Sequence, residues 1–101
     1  MVKHVIIWSL KDEYSAEQKE TIKAEMKTAL EGLAGKIEGL VEIKLHTTAL
    51  PSSANADVLL DSTFESEDAL KNYAVNPIHV EVADTKVRPF VSSRSCMDYI
   101  I

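Results

Sequence analysis

The segment Tyr73-Ala74-Val75-Asn76-Pro77-Ile78-His79 sets a phenol and an imidazole on either side of an Asn-Pro break, in a chain with only three histidines. A proline at the first position of a helix, behind an asparagine cap, closes one helix and opens another. His79 then falls in the first turn of the new helix, where the positive end of the helix dipole disfavours the imidazolium form. A neutral imidazole beside a tyrosine hydroxyl makes a general acid–base pair. Two readings of His79 stand together: a pocket base, or a helix-start side chain whose ring satisfies a neighbouring group. Tyr73 alone reads as a half-buried core tyrosine; its place shortly before His79 is what singles it out.

The remaining chemistry-bearing side chains are few. His4 lies between Val2 and Ile6 and fits a satisfied histidine on an apolar strand face. His46, followed by Thr47 and Thr48, reads as solvated. Cys96 is the only cysteine, so it forms no internal disulfide and points to a reducing cytoplasm. In an apolar strand it reads as a packing residue rather than a nucleophile. The three histidines lack short ligand spacing and none adjoins a Cys/His or paired-carboxylate cluster, so no metal is expected. No Gly-rich phosphate loop or dinucleotide fingerprint is present, and no cofactor is expected.

At 101 residues the chain reads as one domain over 1–101, with 46% apolar and 27% charged residues, ordinary values for a globular protein. The net charge of −5 argues against nucleic acid, whose binders neutralise phosphates with basic patches, and offers nothing to an anionic membrane. No window approaches the roughly 18 apolar residues of a membrane span. The apolar start is shorter than a signal peptide needs, and it alternates like a strand.

That start, residues 2–10, reads as a strand with Val2, His4, Ile6, Trp8 and Leu10 on one face and Lys3, Val5, Ile7 and Ser9 on the other. Ser15-Ala16-Glu17-Gln18 is a capping box. The helix behind it runs to about Ala34, with Ile22, Met26, Ala29, Leu30 and Leu33 as its apolar stripe and Gly35 placed to end it. A second strand covers about 40–47. The loop tract 49–56 leads to a third strand over about 57–64 and is long enough to be mobile. Ser66 caps a short helix to about Val75, which restarts at Pro77 and stops before Pro89; a last strand covers 91–100. The order β-α-β-β-α-β is the ferredoxin-like arrangement of an α+β domain. Two helices cover one face of such a sheet. The other is apolar enough here, through the first strand and through Val41, Ile43, Leu45, Val58, Leu59 and Leu60, to predict a homodimer burying sheet against sheet.

Val2-Lys3-His4-Val5-Ile6, the Gly35-Lys36-Ile37-Glu38-Gly39 turn, Thr63-Phe64-Glu65-Ser66, the Tyr73…Asn76-Pro77-Ile78-His79-Val80 segment and Val87-Arg88-Pro89 together resemble the stress-responsive dimeric α/β-barrel (Dabb) domain, over essentially the whole chain. The resemblance implies a dimeric α/β barrel. A member of that family, the plant olivetolic acid cyclase, closes a linear polyketide by aldol condensation. By that similarity His79 would remove a proton α to a carbonyl and Tyr73 would steady the enolate oxygen. His4 would line the same pocket, and Ile6, Trp8 and Met26 fit core or pocket lining beside it. The substrate implied is a carbonyl-bearing or aromatic small molecule, handled by lyase- or isomerase-like chemistry. The rival reading is a non-catalytic stress-related binding or structural dimer, and a weaker one a cofactor-free monooxygenase, since related barrels include such enzymes.

Overall fold

The computed structural model describes residues Met1–Ile101. Its elements are β1 (Val2–Leu10), α1 (Ala16–Glu31), β2 (Leu40–His46), β3 (Val58–Phe64), α2 (Glu67–Val75), α3 (Pro77–Val82) and β4 (Val91–Ile100), with a π-helical turn over Ala83–Val87 and a 3₁₀ turn over Arg88–Phe90 between the last two. The four strands form one sheet in the order β2-β3-β1-β4, with every neighbouring pair antiparallel. This is the α+β, ferredoxin-like arrangement expected from the sequence. No helix is long and apolar enough to cross a membrane.

The capping box is formed as read: the Ser15 hydroxyl accepts from the Gln18 amide at 3.1 Å, and Gln18 Oε1 accepts from the Ser15 amide at 2.8 Å. The helix ends earlier than expected, at Glu31. Its ladder gives way to tighter bonds, Leu33 N–H to Leu30 O and Ala34 N–H to Glu31 O, which satisfy the last carbonyls in a narrower turn. Gly35 does adopt a left-handed conformation, φ 78°, but in the turn beyond the helix rather than at its end.

Register sorts the two faces of the sheet. Residues opposite one another in an antiparallel pair share a face. Val2, His4, Ile6 and Trp8 lie opposite Phe64, Ser62, Leu60 and Val58 on β3, and opposite Ile100, Asp98, Cys96 and Arg94 on β4. The β1 and β3 members of this set are buried against the helices, with Met26, Leu30 and Tyr73. The β4 members are exposed, because the helices stop short of that edge strand.

The opposite face carries Lys3, Val5 and Ile7 with Leu59, Asp61, Met97 and Tyr99. Four of the apolar residues expected on it, Ile43, Leu45, Val58 and Leu60, face the helices instead; Val58 and Leu60 lie opposite Trp8 and Ile6 and are buried. Ile43 and Leu45 pair with Ser62 and Leu60 and therefore point into the core, where they are buried. Val41 is the extra residue of a bulge in β2 and stays exposed. The bulge shifts the alternation by one residue, so β2 brings Glu42, Lys44 and His46 to the open face. An ion pair between Lys3 and Asp61 at 3.0 Å crosses it. The apolar part of this face is thus concentrated on β1, β4 and Leu59.

The turn into β2 sets where α2 sits. Gly39 has φ 84°, and a Cβ there would lie 2.5 Å from the Cβ of Ala69 on α2. Gly39→Ala combines left-handed strain with a clash against a helix that carries Tyr73. It should destabilise the fold by about 2–4 kcal/mol, read as a lower urea midpoint at unchanged m-value. A wild-type midpoint would contradict this packing.

Candidate functional site

α2 is capped by Ser66, whose hydroxyl accepts from the Ala69 amide at 3.1 Å, with Glu67 and Asp68 in the first turn. Leu70, Tyr73 and Ala74 follow at i, i+3 and i+4, one face of the helix, and this face looks at the sheet. The break after Val75 forms as the sequence predicts. Asn76 is extended (ψ 127°), its Oδ1 accepts from the Ile78 amide at 2.9 Å, and Pro77 opens α3. The new helix returns His79 to the same side, so the rings of Tyr73 and His79 lie 4.0 Å apart between centroids at 33°. The π-turn then supplies Ala83 and Val87, both buried.

These side chains enclose a cavity of about 220 Å³ between sheet and helices. Its floor is His4, Ile6 and Trp8 on β1; Tyr73, His79, Ala83 and Val87 wall it, and Arg88 and Arg94 stand at its margin. Of the residues expected to form a pocket, Tyr73, His79, His4, Ile6 and Trp8 are brought together. Met26 is not: it is fully buried in the core beneath α1 and does not line this cavity. Nor does any residue of the 49–56 loop, which borders a separate depression of about 330 Å³ with His46 and Asp57. That larger depression contains no orphaned polar atom, whereas the smaller cavity holds two.

Those two atoms define the site. Tyr73 Oη and His79 Nδ1 are buried and have no hydrogen-bond partner, although such groups are nearly always satisfied in folded proteins. Burial drives the Tyr73 phenol far above its ordinary range, so it is a hydrogen-bond donor at any physiological pH. His79 is held below the usual imidazole range, chiefly by burial; the nearby charges of Arg88 and His4 act in the same direction, and the carbonyls of Ala74 and Tyr73 oppose it. The neutral form expected from the helix dipole therefore arises mainly from desolvation. A neutral base next to a phenol donor, in an apolar enclosure, can take a proton from carbon and stabilise the oxyanion that results.

His4 is satisfied, as its place on an apolar strand face predicts, but by a residue the sequence reading left out. Its Nδ1 lies 2.5 Å from Asp98 Oδ1 on β4. Cys96 Sγ lies 3.8 Å from the same nitrogen and 3.5 Å from Asp98 Oδ1. The expectation that Cys96 is a packing residue is corrected here: it is exposed, because β4 is an edge strand that no helix covers. Burial and the Asp98 carboxylate both push its thiol up, so it is a poor free nucleophile. The Cys-x-Asp spacing of Cys96 and Asp98 was the available signal, legible only once β4 is paired to β1.

The chain matches the model of the Dabb family, the stress responsive A/B barrel domain, over residues 2–101. It belongs to the Dabb family. A dimeric, ferredoxin-like protein of unknown function from Bacteroides fragilis is similar at 30% identity and TM-score 0.90, covering 99% of this chain and 95% of that one. An Arabidopsis thaliana protein is similar at 26% identity and TM-score 0.75, covering 100% and 95%. A hydroxynitrile lyase from Passiflora edulis shares the fold at 23% identity and TM-score 0.74, covering 99% and 92%. No curated protein matches the sequence.

The orphaned phenol yields a direct test. Removing a buried hydroxyl that bonds to nothing deletes a desolvation cost of about 1–3 kcal/mol while keeping the ring packed on Phe64, 4.8 Å away. Tyr73→Phe of this Dabb domain should therefore be as stable as wild type or slightly more so in urea unfolding. A loss of more than about 1 kcal/mol would show that the hydroxyl is bonded after all.

Proposed function

We propose that this Dabb protein binds a small carbonyl-bearing or aromatic molecule in the cavity between β1, α2 and α3, and that Tyr73 and His79 act on it by proton transfer. The observation that carries the reading is the pair of partnerless buried polar atoms, Tyr73 Oη and His79 Nδ1, on adjacent rings. A ligand oxygen would accept the phenol's hydrogen bond, and an acidified C–H facing the imidazole would stand within reach of its lone pair. In the reaction, His79 takes the proton from the carbon α to the carbonyl and Tyr73 donates a hydrogen bond to the enolate oxygen. The enolate carbon then attacks a second carbonyl, and the new alkoxide recovers the proton from His79, as in an aldol closure. The cavity is smaller than the ~300–1,000 Å³ of pockets for drug-sized ligands, which favours a compact substrate. A longer one has room in the adjoining groove of about 500 Å³ along α2 and β4.

The expected behaviour separates this from a structural role. In a thermal-shift screen of phenols, lactones and polyketide-like ketones, a compound that stabilises wild type should give no shift with Tyr73→Phe or His79→Ala. Because the folded His79 titrates below 6.5, the basic form is present above that lowered value and is lost only as pH falls through it. The acid limb of binding or turnover should accordingly lie below pH 6.5. Equal shifts in all three proteins would refute the assignment.

We also propose that the protein is a homodimer joined through the open sheet face, where Ile7, Met97 and Tyr99 are exposed and which the helices leave uncovered. The similar Bacteroides fragilis protein is described as dimeric. Light scattering should give twice the chain mass for wild type at micromolar concentration and the chain mass for Ile7→Asp. A wild-type monomer would rule the interface out.

A further inference from the structure

We infer that His4, Cys96 and Asp98 form a binding site for a thiophilic divalent metal ion, zinc being the chemical type, on the ladder between β1 and β4. The three side chains come from the helix-facing side of two adjacent strands. Asp98 is the direct cross-strand partner of His4, and Cys96 is the partner of Ile6, one step along. Their donor atoms lie within 4.8 Å of one another.

The separations suit a tetrahedral ion. With bonds of about 2.0 Å to nitrogen and oxygen and about 2.3 Å to sulfur, the edges of the tetrahedron are about 3.3–3.6 Å. Cys96 Sγ already stands 3.5 Å from Asp98 Oδ1 and 3.8 Å from His4 Nδ1. Only the His4–Asp98 edge, at 2.5 Å, must open, by a small rotation of the exposed Asp98 side chain. One thiolate, one imidazole and one carboxylate form a mixed donor set that suits zinc, whereas all-oxygen sets suit magnesium and calcium. Three protein ligands leave the fourth position to solvent.

The same atoms fit a nucleophilic triad poorly. In such a triad the carboxylate and the nucleophile engage opposite nitrogens of the imidazole, while here Asp98 and Cys96 both approach Nδ1. A shared approach to one nitrogen is what ligands converging on an ion produce. The surrounding charge is compatible: the groove also contains Glu67, Lys71 and Arg94, so with Asp98 and a thiolate the acidic groups outnumber the basic ones. On binding, the Cys96 thiol loses its proton to solvent, His4 binds as the neutral tautomer with its proton on Nε2 and Nδ1 free, and the lone pairs of sulfur and Nδ1 go to the metal.

Cobalt(II) is the probe, added to the reduced, metal-stripped protein under anaerobic conditions, with zinc as competitor. The expected result is one ion per chain, a thiolate-to-cobalt charge-transfer band, the intense visible absorption of tetrahedral cobalt, and loss of both when zinc is added. Cys96→Ser should abolish the charge-transfer band and weaken binding by more than the ~10–100-fold that loss of a supporting residue costs; Asp98→Asn should weaken it too. Cys96 is exposed, and Asp98→Asn keeps an Oδ1 acceptor for His4 Nδ1, so these variants should fold, which their metal-free melting temperatures check. Absence of the band in wild type, or equal affinity and spectrum in Cys96→Ser, would overturn the site.

Discussion

β1 lies at the centre of this molecule, paired with β3 on one side and β4 on the other, and every helix-facing position on it is apolar except His4. A buried imidazole must find a partner or destabilise the fold. The partner is Asp98, reached across the strand ladder from β4. That one requirement ties the edge strand to the core and sets which residues β4 presents beside the cavity. The same ring stands edge-on to Phe64 and to Tyr73, each at 6.2 Å between centroids. Tyr73 in turn lies against His79. A line of aromatic rings therefore runs from the sheet edge to the break between α2 and α3.

Along that line the treatment of polar atoms changes. His4 is satisfied by Asp98, and Ser62 next to it donates to the His4 carbonyl at 2.8 Å. Tyr73 and His79, a few ångströms on, have buried polar atoms with nothing to bond. A fold that satisfies its other buried side chains and leaves two adjacent groups unsatisfied retains a local cost of a few kcal/mol. The cost is localised where the helix is interrupted by Asn76-Pro77 and then irregular through the π-turn, a feature that recurs at functional sites. It is recoverable by a ligand that supplies the missing donors and acceptors, which is the physical basis for reading the cavity as a binding site.

Local signals carried most of the architecture. The capping box at Ser15, the Asn-Pro break and the alternation of β1 are each dictated by residues close in sequence, and each appears where the sequence places it. The pair Tyr73 and His79 was legible for the same reason, since one helix break brings both to one side. What was not legible depends on pairing across the sheet. Cys96 reads as packing in an apolar strand, and nothing nearby in sequence says that β4 is an uncovered edge. Its proximity to His4 joins residues from opposite ends of the chain and follows only from the β1–β4 register. The bulge at Val41 is similar: an extra residue in β2 reverses the inward and outward sense of Ile43 and Leu45 relative to a regular strand through Val41. Met26 illustrates the remaining limit, because an apolar stripe specifies that a residue faces the sheet but not which part of the sheet it meets.

The alternation of β1 also separates two roles. Its even-numbered residues face the helices, three of them, His4, Ile6 and Trp8, lining the cavity, and its odd-numbered residues face the open side of the sheet. A side chain changed on one face meets different neighbours from one changed on the other, since successive Cβ atoms point in opposite directions. The proposed association through Ile7 and the proposed binding over His4 and Ile6 are therefore separable by substitution even though these residues are close in sequence. The two are coupled only through the position of the strand itself. Because β1 is hydrogen-bonded on both edges, moving it would break two ladders at once. The proposed assembly on one face would thus hold the floor of the cavity on the other without contributing a side chain to it.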